Sequence, residues 1–347
     1  MPTYILDDPS RPLHLPAGPI TIMVRATGTQ AAIELTATAP VEGLIRPAPY
    51  LVVVPAVAEA TTVRVTPVGA ERFPTPATIA VTIEARGGGA EPERVQLATA
   101  DVSGLTHRDM VVVEPQGHRL VVTLVTTMRD EDLPDLVMHA RAAARKVLEV
   151  DRVADAEALA VTIAIDSSAS MRAITDAAVT ATISVILGLS CVVGPAHHPV
   201  RVGVLGAEPT WLEGVALADI PTAASEALAR APQTVGMRWA QGSAWRSPGS
   251  RAGVVYMVTD ALPADLAQVE ALAAAADVVG HVVVVGSEGE ESRQVADHVA
   301  LTGIAVDRAV DLGTFWTEHP QQLSEVVRRL LRASSPSGSD MARRISR

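Results

Sequence analysis

Oxygen-bearing side chains follow a run of apolar residues in the segment AVTIAIDSSASMR, residues 160–172. Asp166 supplies a carboxylate, and Ser168 and Ser170 supply hydroxyls at alternate positions behind it. In a loop that turns into a helix, such alternating side chains can converge their oxygens on one point. Hard oxygen donors of this kind suit Mg²⁺ or Mn²⁺ better than Zn²⁺. The cluster therefore predicts a divalent-cation site.

A second acidic residue, Asp260, ends another apolar run, GVVYMVTD, residues 253–260. In a doubly wound sheet, a strand from the second half packs beside the first strand, which would bring Asp260 next to Asp166. Two carboxylates balance the charge of a divalent cation, whereas without the cation they repel each other. Asp260 is therefore predicted to be a metal ligand together with Asp166, Ser168 and Ser170.

Strands and helices alternate from about residue 158 onward, which predicts an α/β fold with a doubly wound, mostly parallel sheet. In such sheets ligands bind beyond the carboxyl ends of the strands, where Asp166 and Asp260 would lie. Strands are predicted at residues 159–165, 200–206, 210–217, 253–260, 281–286 and 308–313. Helices are predicted after Met171 and at residues 222–231, 263–276, 290–303 and 320–333, with another after Thr234.

The first half of the chain has a different sequence pattern, in which short apolar or alternating runs recur between clusters of Pro and Gly. This pattern predicts an all-β sandwich domain over residues 1–130. Residues 131–157 change to helical spacing and are interpreted as a connecting helix and linker. The α/β domain is predicted over residues 158–333, and the polar residues 334–347 as a disordered tail.

The composition narrows the possible partners and compartments of the protein. Its formal net charge of −11 disfavours nonspecific binding to nucleic acid or to an anionic membrane surface. The single cysteine, Cys191, excludes an intramolecular disulfide and fits a reducing compartment. The first residues, MPTYILDDPSRP, lack the basic and apolar regions of a signal peptide. A cytoplasmic location is expected.

Residues 177–196 carry no charge, and 20 residues approach the length that crosses a hydrocarbon core. The alternative is a helix buried within the α/β domain. Threonine and serine side chains lower the hydrophobicity of the segment, and it directly follows the serine cluster. We interpret it as a buried helix and expect no membrane span.

The motifs of the second half resemble the von Willebrand factor A domain family. DSSAS, residues 166–170, matches the D-x-S-x-S motif that begins the family's metal-ion-dependent adhesion site, and VVYMVTDALP resembles its fourth strand. The resemblance covers about residues 158–333 and implies a further threonine ligand from a loop between the two motifs. Thr234 is the predicted counterpart, with Thr222 as the alternative. The sequence departs from the family in having Ala261 where glycine is usual.

Segments of the first half, including VPAVAEATTVRVTPV and PATIAVTIEA, resemble the later strands of tellurium-resistance (TerD-type) β-sandwich domains. Some bacterial proteins of that stress-response system join such a sandwich to a von Willebrand A domain. The family's calcium sites need closely spaced aspartates, whereas here the acids are isolated, as at Asp101 and Glu114. Calcium binding is not expected in this half.

Three functions are compatible with these observations. The first is a non-enzymatic, cation-dependent binding module, in which the metal captures an Asp or Glu of a protein partner. The second is a metal-dependent enzyme of the hydrolase or phosphotransfer type, which would need a general base that neither motif contains. The third is a structural domain with an inactive metal site. We favour the binding module.

Overall fold

The computed structural model describes residues 2–8, 10–87, 91–125, 133–174, 176–195, 200–205, 209–233, 253–262, 278–286, 301–305 and 311–334. The chain divides into two compact units, Met1–Asp130 and Glu131–Arg347. The first contains two β-sheets, and the second contains a mostly parallel sheet with helices. The predicted α/β class and the mostly parallel sheet are thereby confirmed.

The first unit contains twelve described strands arranged in two sheets. The strands are β1 Thr3–Leu6, β2 Leu13–Pro16, β3 Ile20–Thr27, β4 Ala31–Thr36, β5 Ile45–Ala48, β6 Leu51–Val54, β7 Thr61–Pro67, β8 Thr78–Ala85, β9 Glu93–Leu97, β10 Ala100–Asp101, β11 Arg108–Gln116 and β12 Arg119–Leu124. One sheet has the order β1-β9-β8-β3-β6-β5, with β10 also paired to β8, and the other has the order β2-β12-β11-β7-β4. Apart from the parallel pair β1–β9, the strand pairs are antiparallel.

Side-chain alternation explains the core of the first unit. Along β8 each partly buried residue is followed by a buried one, because successive side chains point to opposite faces of a sheet. Buried residues of both sheets, such as Ile83 and Val63, belong to one hydrophobic cluster. The strands β1, β2 and β5 have only four residues each, and β1 and β5 expose most of their side chains, so their apolar signal in the sequence is weak.

The second unit contains six described strands and five described α-helices. The strands are β13 Ala160–Asp166, β14 Val200–Leu205, β15 Thr210–Trp211, β16 Gly253–Thr259, β17 Val278–Gly286 and β18 Leu301–Ala305. The helices are α1 Asp135–Leu148, α2 Asp176–Val193, α3 Ile220–Arg230, α4 Leu312–Glu318 and α5 Pro320–Ser334. Two single-turn 3₁₀ helices, Met171–Ala173 and Leu217–Asp219, precede α2 and α3.

The strand order of the second unit creates a switch point beside β13. The order is β15-β14-β13-β16-β17-β18, and only the pairing of β15 with β14 is antiparallel. After β13 the chain adds β14 on one side and later returns to add β16 on the other. Open α/β sheets bind ligands at such a point, outside the carboxyl ends of the strands.

Helix α2 is packed inside the second unit. It is long and apolar enough to cross a membrane by length and composition, but 83% of it is buried in the protein. At Gly188 it approaches α1 so closely that an added Cβ would lie 2.5 Å from the Val137 carbonyl oxygen. Helix α1, which we expected to connect two domains, therefore packs against α2 as part of the second unit.

One region of the second unit differs from the sequence prediction. We expected a helix at residues 290–303 and a strand at 308–313, but Leu301–Ala305 forms the strand. Asp311 is the N-cap of α4, because its side chain accepts a hydrogen bond from the Gly313 N–H. The last three residues of the predicted strand, 311–313, therefore begin a helix.

Two other predictions differ in extent or lie outside the described residues. The strand predicted at 210–217 covers only Thr210–Trp211, and Gly214 adopts a positive φ of 69° that an extended strand does not accommodate. The helix predicted at 263–276 and the tail from residue 335 onward lie outside the described residues.

Candidate metal centre

Two adjacent parallel strands bring the predicted acidic residues to one edge of the sheet. Ile165 of β13 pairs in register with Val258 of β16. Asp166 is the last residue of β13, and Asp260 directly follows the last residue of β16. Both carboxylates consequently lie at the carboxyl ends of neighbouring strands, at the switch point.

Asp166 is held by donors from the loop after β13 and from β16. Its side chain is buried, and its Oδ1 accepts a hydrogen bond of 2.9 Å from the Ser168 N–H. Its Oδ2 accepts one of 2.8 Å from Ser168 Oγ and one of 2.9 Å from Thr259 Oγ1. A buried carboxylate needs such partners because burial removes its hydration. The three bonds fix both the position of Asp166 and the orientation of its oxygens.

The two serine hydroxyls form a bridge from Asp166 to Asp260. Ser168 Oγ lies 3.1 Å from Ser170 Oγ, and Ser170 Oγ donates a hydrogen bond of 3.1 Å to Asp260 Oδ1. Ser168 Oγ is itself 3.5 Å from the same oxygen of Asp260. Four of the five predicted ligands therefore meet in one cluster of oxygens, which we call the oxygen cluster (Asp166, Ser168, Ser170 and Asp260).

The spacing and chemistry of the oxygen cluster fit a small divalent cation. Neighbouring ligands of an octahedral Mg²⁺, at 2.0–2.1 Å from the ion, are about 2.9 Å apart. The oxygen pairs Asp166–Ser168 and Ser170–Asp260 are 2.8 and 3.1 Å apart. Within the described residues, no group of three or more His, Cys, Asp and Glu side chains is placed to hold a metal ion. A cation here would depend on the hydroxyls as well as the two carboxylates.

One side of the oxygen cluster faces solvent. Asp166 and Ser168 are buried, whereas Ser170 is exposed and Asp260 is partly buried. Ala169 and Ala261, which are next to Ser170 and Asp260 in the sequence, are exposed and have only a methyl group. A ligand from solvent therefore approaches Ser170 and Asp260 without meeting a large neighbouring side chain among these residues.

The two threonine candidates have different outcomes. Thr222 is exposed in the first turn of α3, whereas the segment beyond the other end of α3 contacts the loop of the oxygen cluster. With a rise of 1.5 Å per residue, Thr222 lies about 12 Å along the axis from that end. Within the described residues, no hydrogen bond joins Thr222 to the oxygen cluster. Thr234 follows Pro232 by two residues in the sequence and lies outside the described residues.

Three residues that the sequence did not identify as part of the site support it. Thr259 donates to Asp166 Oδ2, and its place before Asp260 at the end of β16 was the available signal. Ser167 is fully buried and contacts the carbonyl oxygens of Leu205 and Pro232, the latter at 3.2 Å. Arg172 Nη2 donates to the Ala231 carbonyl oxygen. These last two contacts depend on tertiary structure and left no signal in the sequence.

A scan against protein-family models finds no match to the chain, and a search of curated proteins finds no significant match. The von Willebrand A and TerD-type resemblances consequently rest on the sequence motifs alone.

Proposed function

We propose that the protein is a divalent-cation-dependent protein-binding module. In this proposal Asp166, Ser168, Ser170 and Asp260 hold Mg²⁺ or Mn²⁺, and Thr234 completes the protein ligands. The metal keeps one position for an Asp or Glu side chain of a partner. The observation that carries the proposal is the meeting of two carboxylates, 94 positions apart in the sequence, through two bridging serine hydroxyls.

Charge and exposure favour an acidic partner. Two aspartates and a divalent cation together have no net charge, so an additional carboxylate can bind the metal without opposing a negative site. The exposed side of the oxygen cluster, at Ser170 and Asp260, is open to such a group. A carboxylate bound to a metal gives directional recognition without any bond being made or broken.

A binding role is favoured over catalysis by the contacts of the cluster. Within the described residues, the hydrogen bonds of the four cluster side chains are to one another, to Thr259 and to the Ser168 N–H. None of these groups is a histidine or lysine that would act as a general base. Metal-dependent turnover by the purified protein would contradict the non-enzymatic assignment.

The fold supports the family resemblance on which the wider assignment rests. The switch point between β13 and β16 and the antiparallel β15 are compatible with a doubly wound von Willebrand A domain. The two sheets with a shared core in the first unit are compatible with a TerD-type β-sandwich. By this resemblance we propose a role in a bacterial tellurite or stress response, in the cytoplasm, without a membrane span or nucleic-acid partner.

A capture experiment tests the proposal. Full-length protein is immobilised and incubated with lysate of the source cell in Mg²⁺, and bound proteins are eluted with EDTA. We expect Asp260→Asn to lose the EDTA-eluted partner and Glu213→Gln, which removes an exposed charge of the same unit, to retain it. A partner that stays bound in EDTA, or that binds Asp260→Asn equally well, would contradict the proposal.

A further inference from the structure

Two side chains of the loop that carries the oxygen cluster bind the same neighbouring segment of backbone. Ser167 contacts the carbonyl oxygen of Pro232 at 3.2 Å, and Arg172 donates to the carbonyl oxygen of Ala231. Ala231 is the C-cap residue of α3. Ser167 and Arg172 stand on either side of Ser168 and Ser170 in the sequence, so the loop is attached to the end of α3 at two points.

We propose that Ser167 and Arg172 are positioning residues of the metal centre. By binding the end of α3, they hold the loop in the conformation in which the Ser168 and Ser170 hydroxyls face Asp260. The inference rests on the proposed function, because it assigns a role to these residues in metal affinity.

The two contacts differ in kind and so stabilise the loop differently. Ser167 is fully buried and also contacts the Leu205 carbonyl oxygen at the end of β14, so its single hydroxyl hydrogen serves two carbonyl groups. Arg172 is exposed, and its contact is a charge-assisted bond to a carbonyl at a helix C-terminus. Cations are favoured at that end of a helix by the helix dipole. The helix end therefore gives the Arg172 side chain a defined position.

The positive charge of Arg172 permits a test based on whether removing this side chain weakens or strengthens metal binding. It is two residues from Ser170, and as a cation near a bound cation it would weaken metal binding by repulsion. Removing it would then strengthen metal binding if charge were its only influence. If Arg172 positions the loop, removing it weakens metal binding instead. The two explanations predict opposite changes in the dissociation constant.

The experiment is a calorimetric titration of the full chain with Mn²⁺. Loss of a residue that orients metal ligands typically weakens metal binding 10–100-fold, and we expect Arg172→Ala to weaken it about tenfold. Arg172→Lys retains a cationic donor and should restore most of the affinity. Arg230→Ala, which removes an exposed arginine of α3 paired with Glu226, is the matched control and should bind as the wild type does.

The measurements on Arg172→Ala and Ser167→Ala each have a result that counts against the inference. Unchanged or tighter Mn²⁺ binding by Arg172→Ala, or equal losses in Arg172→Ala and Arg230→Ala, would refute positioning while leaving the metal site intact. Ser167→Ala should also weaken Mn²⁺ binding, and an unchanged affinity in this variant would remove Ser167 from the assignment. Absence of Mn²⁺ binding by the wild-type chain would instead refute the proposed function, and the inference with it.

Discussion

Replacing Asp260 by Asn should stabilise the metal-free protein. The substitution removes a negative charge but keeps an oxygen that accepts the hydrogen bond from Ser170. In the folded chain, Asp166 Oδ2 and Asp260 Oδ1 are 2.8 and 3.5 Å from Ser168 Oγ, which limits their separation to at most about 6.3 Å. In the unfolded chain the two residues are far apart, so their repulsion acts mainly on the folded state.

The magnitude follows from the separation of the two carboxylates. Two like charges about 6 Å apart repel by about 3 kcal/mol at an effective dielectric constant of 20, before screening by salt. Relief of about 2 kcal/mol would raise the melting temperature of a unit of this size by roughly 4–8 °C. Mg²⁺ should raise the melting temperature of the wild type, since it binds only the folded site, and should have little effect on Asp260→Asn.

Tryptophan fluorescence is a suitable assay because Trp211, Trp239, Trp245 and Trp316 all lie in the second unit. Melting curves are recorded in EDTA and in Mg²⁺ at low salt for the wild type, Asp260→Asn and the control Glu213→Gln. The control removes one negative charge outside the oxygen cluster and should behave as the wild type does. A metal-free Asp260→Asn that melts below the wild type would refute the calculated repulsion. A Mg²⁺ shift that persists in this variant would place the metal elsewhere.

Two further substitutions test the packing and the support of the site, with unfolding followed by the same fluorescence. Gly188→Ala should destabilise the second unit by about 1–3 kcal/mol, because the new Cβ meets the backbone of α1. This overpacking outweighs the gain in helix propensity of about 1 kcal/mol. A more stable variant would contradict the close α1–α2 contact. Thr259→Val should cost about 1.5–3 kcal/mol by removing a hydrogen bond to the charged Asp166, and Thr259→Ser should recover most of the loss. Equal stabilities of the Val and Ser variants would show that the hydroxyl is not needed.

The regular parts of the fold were predictable from the sequence because their signal is local. Buried parallel strands such as β13 and β16 are continuous apolar runs, since both faces of such strands are covered. The polar residues at the ends of these strands indicated where the oxygen cluster would lie. The strand order then accounts for the contact between Asp260 and the serines, which are on different elements.

The errors arose where local patterns are ambiguous or where tertiary contacts decide. The run at residues 308–313 contains Val and Leu as a strand does, but Asp311 caps a helix instead. Thr222 was an acceptable candidate by its position in the sequence, but it lies in the first turn of α3, about 12 Å along the helix axis from the end that contacts the loop. The roles of Ser167 and Arg172 depend on backbone carbonyls, which have no residue-specific signal.

The central claim is that the oxygen cluster binds a divalent cation, and Mn²⁺ binding measured by electron paramagnetic resonance tests it most directly. Free and bound Mn²⁺ are distinguished in a titration of the full chain, alongside Asp166→Ala and Glu213→Gln. We expect one Mn²⁺ to bind the wild type and the Glu213 variant, and none to bind at this site in Asp166→Ala, which lacks the buried carboxylate. The claim would be contradicted if the wild type did not bind Mn²⁺, or if Asp166→Ala bound Mn²⁺ as strongly as the wild type does.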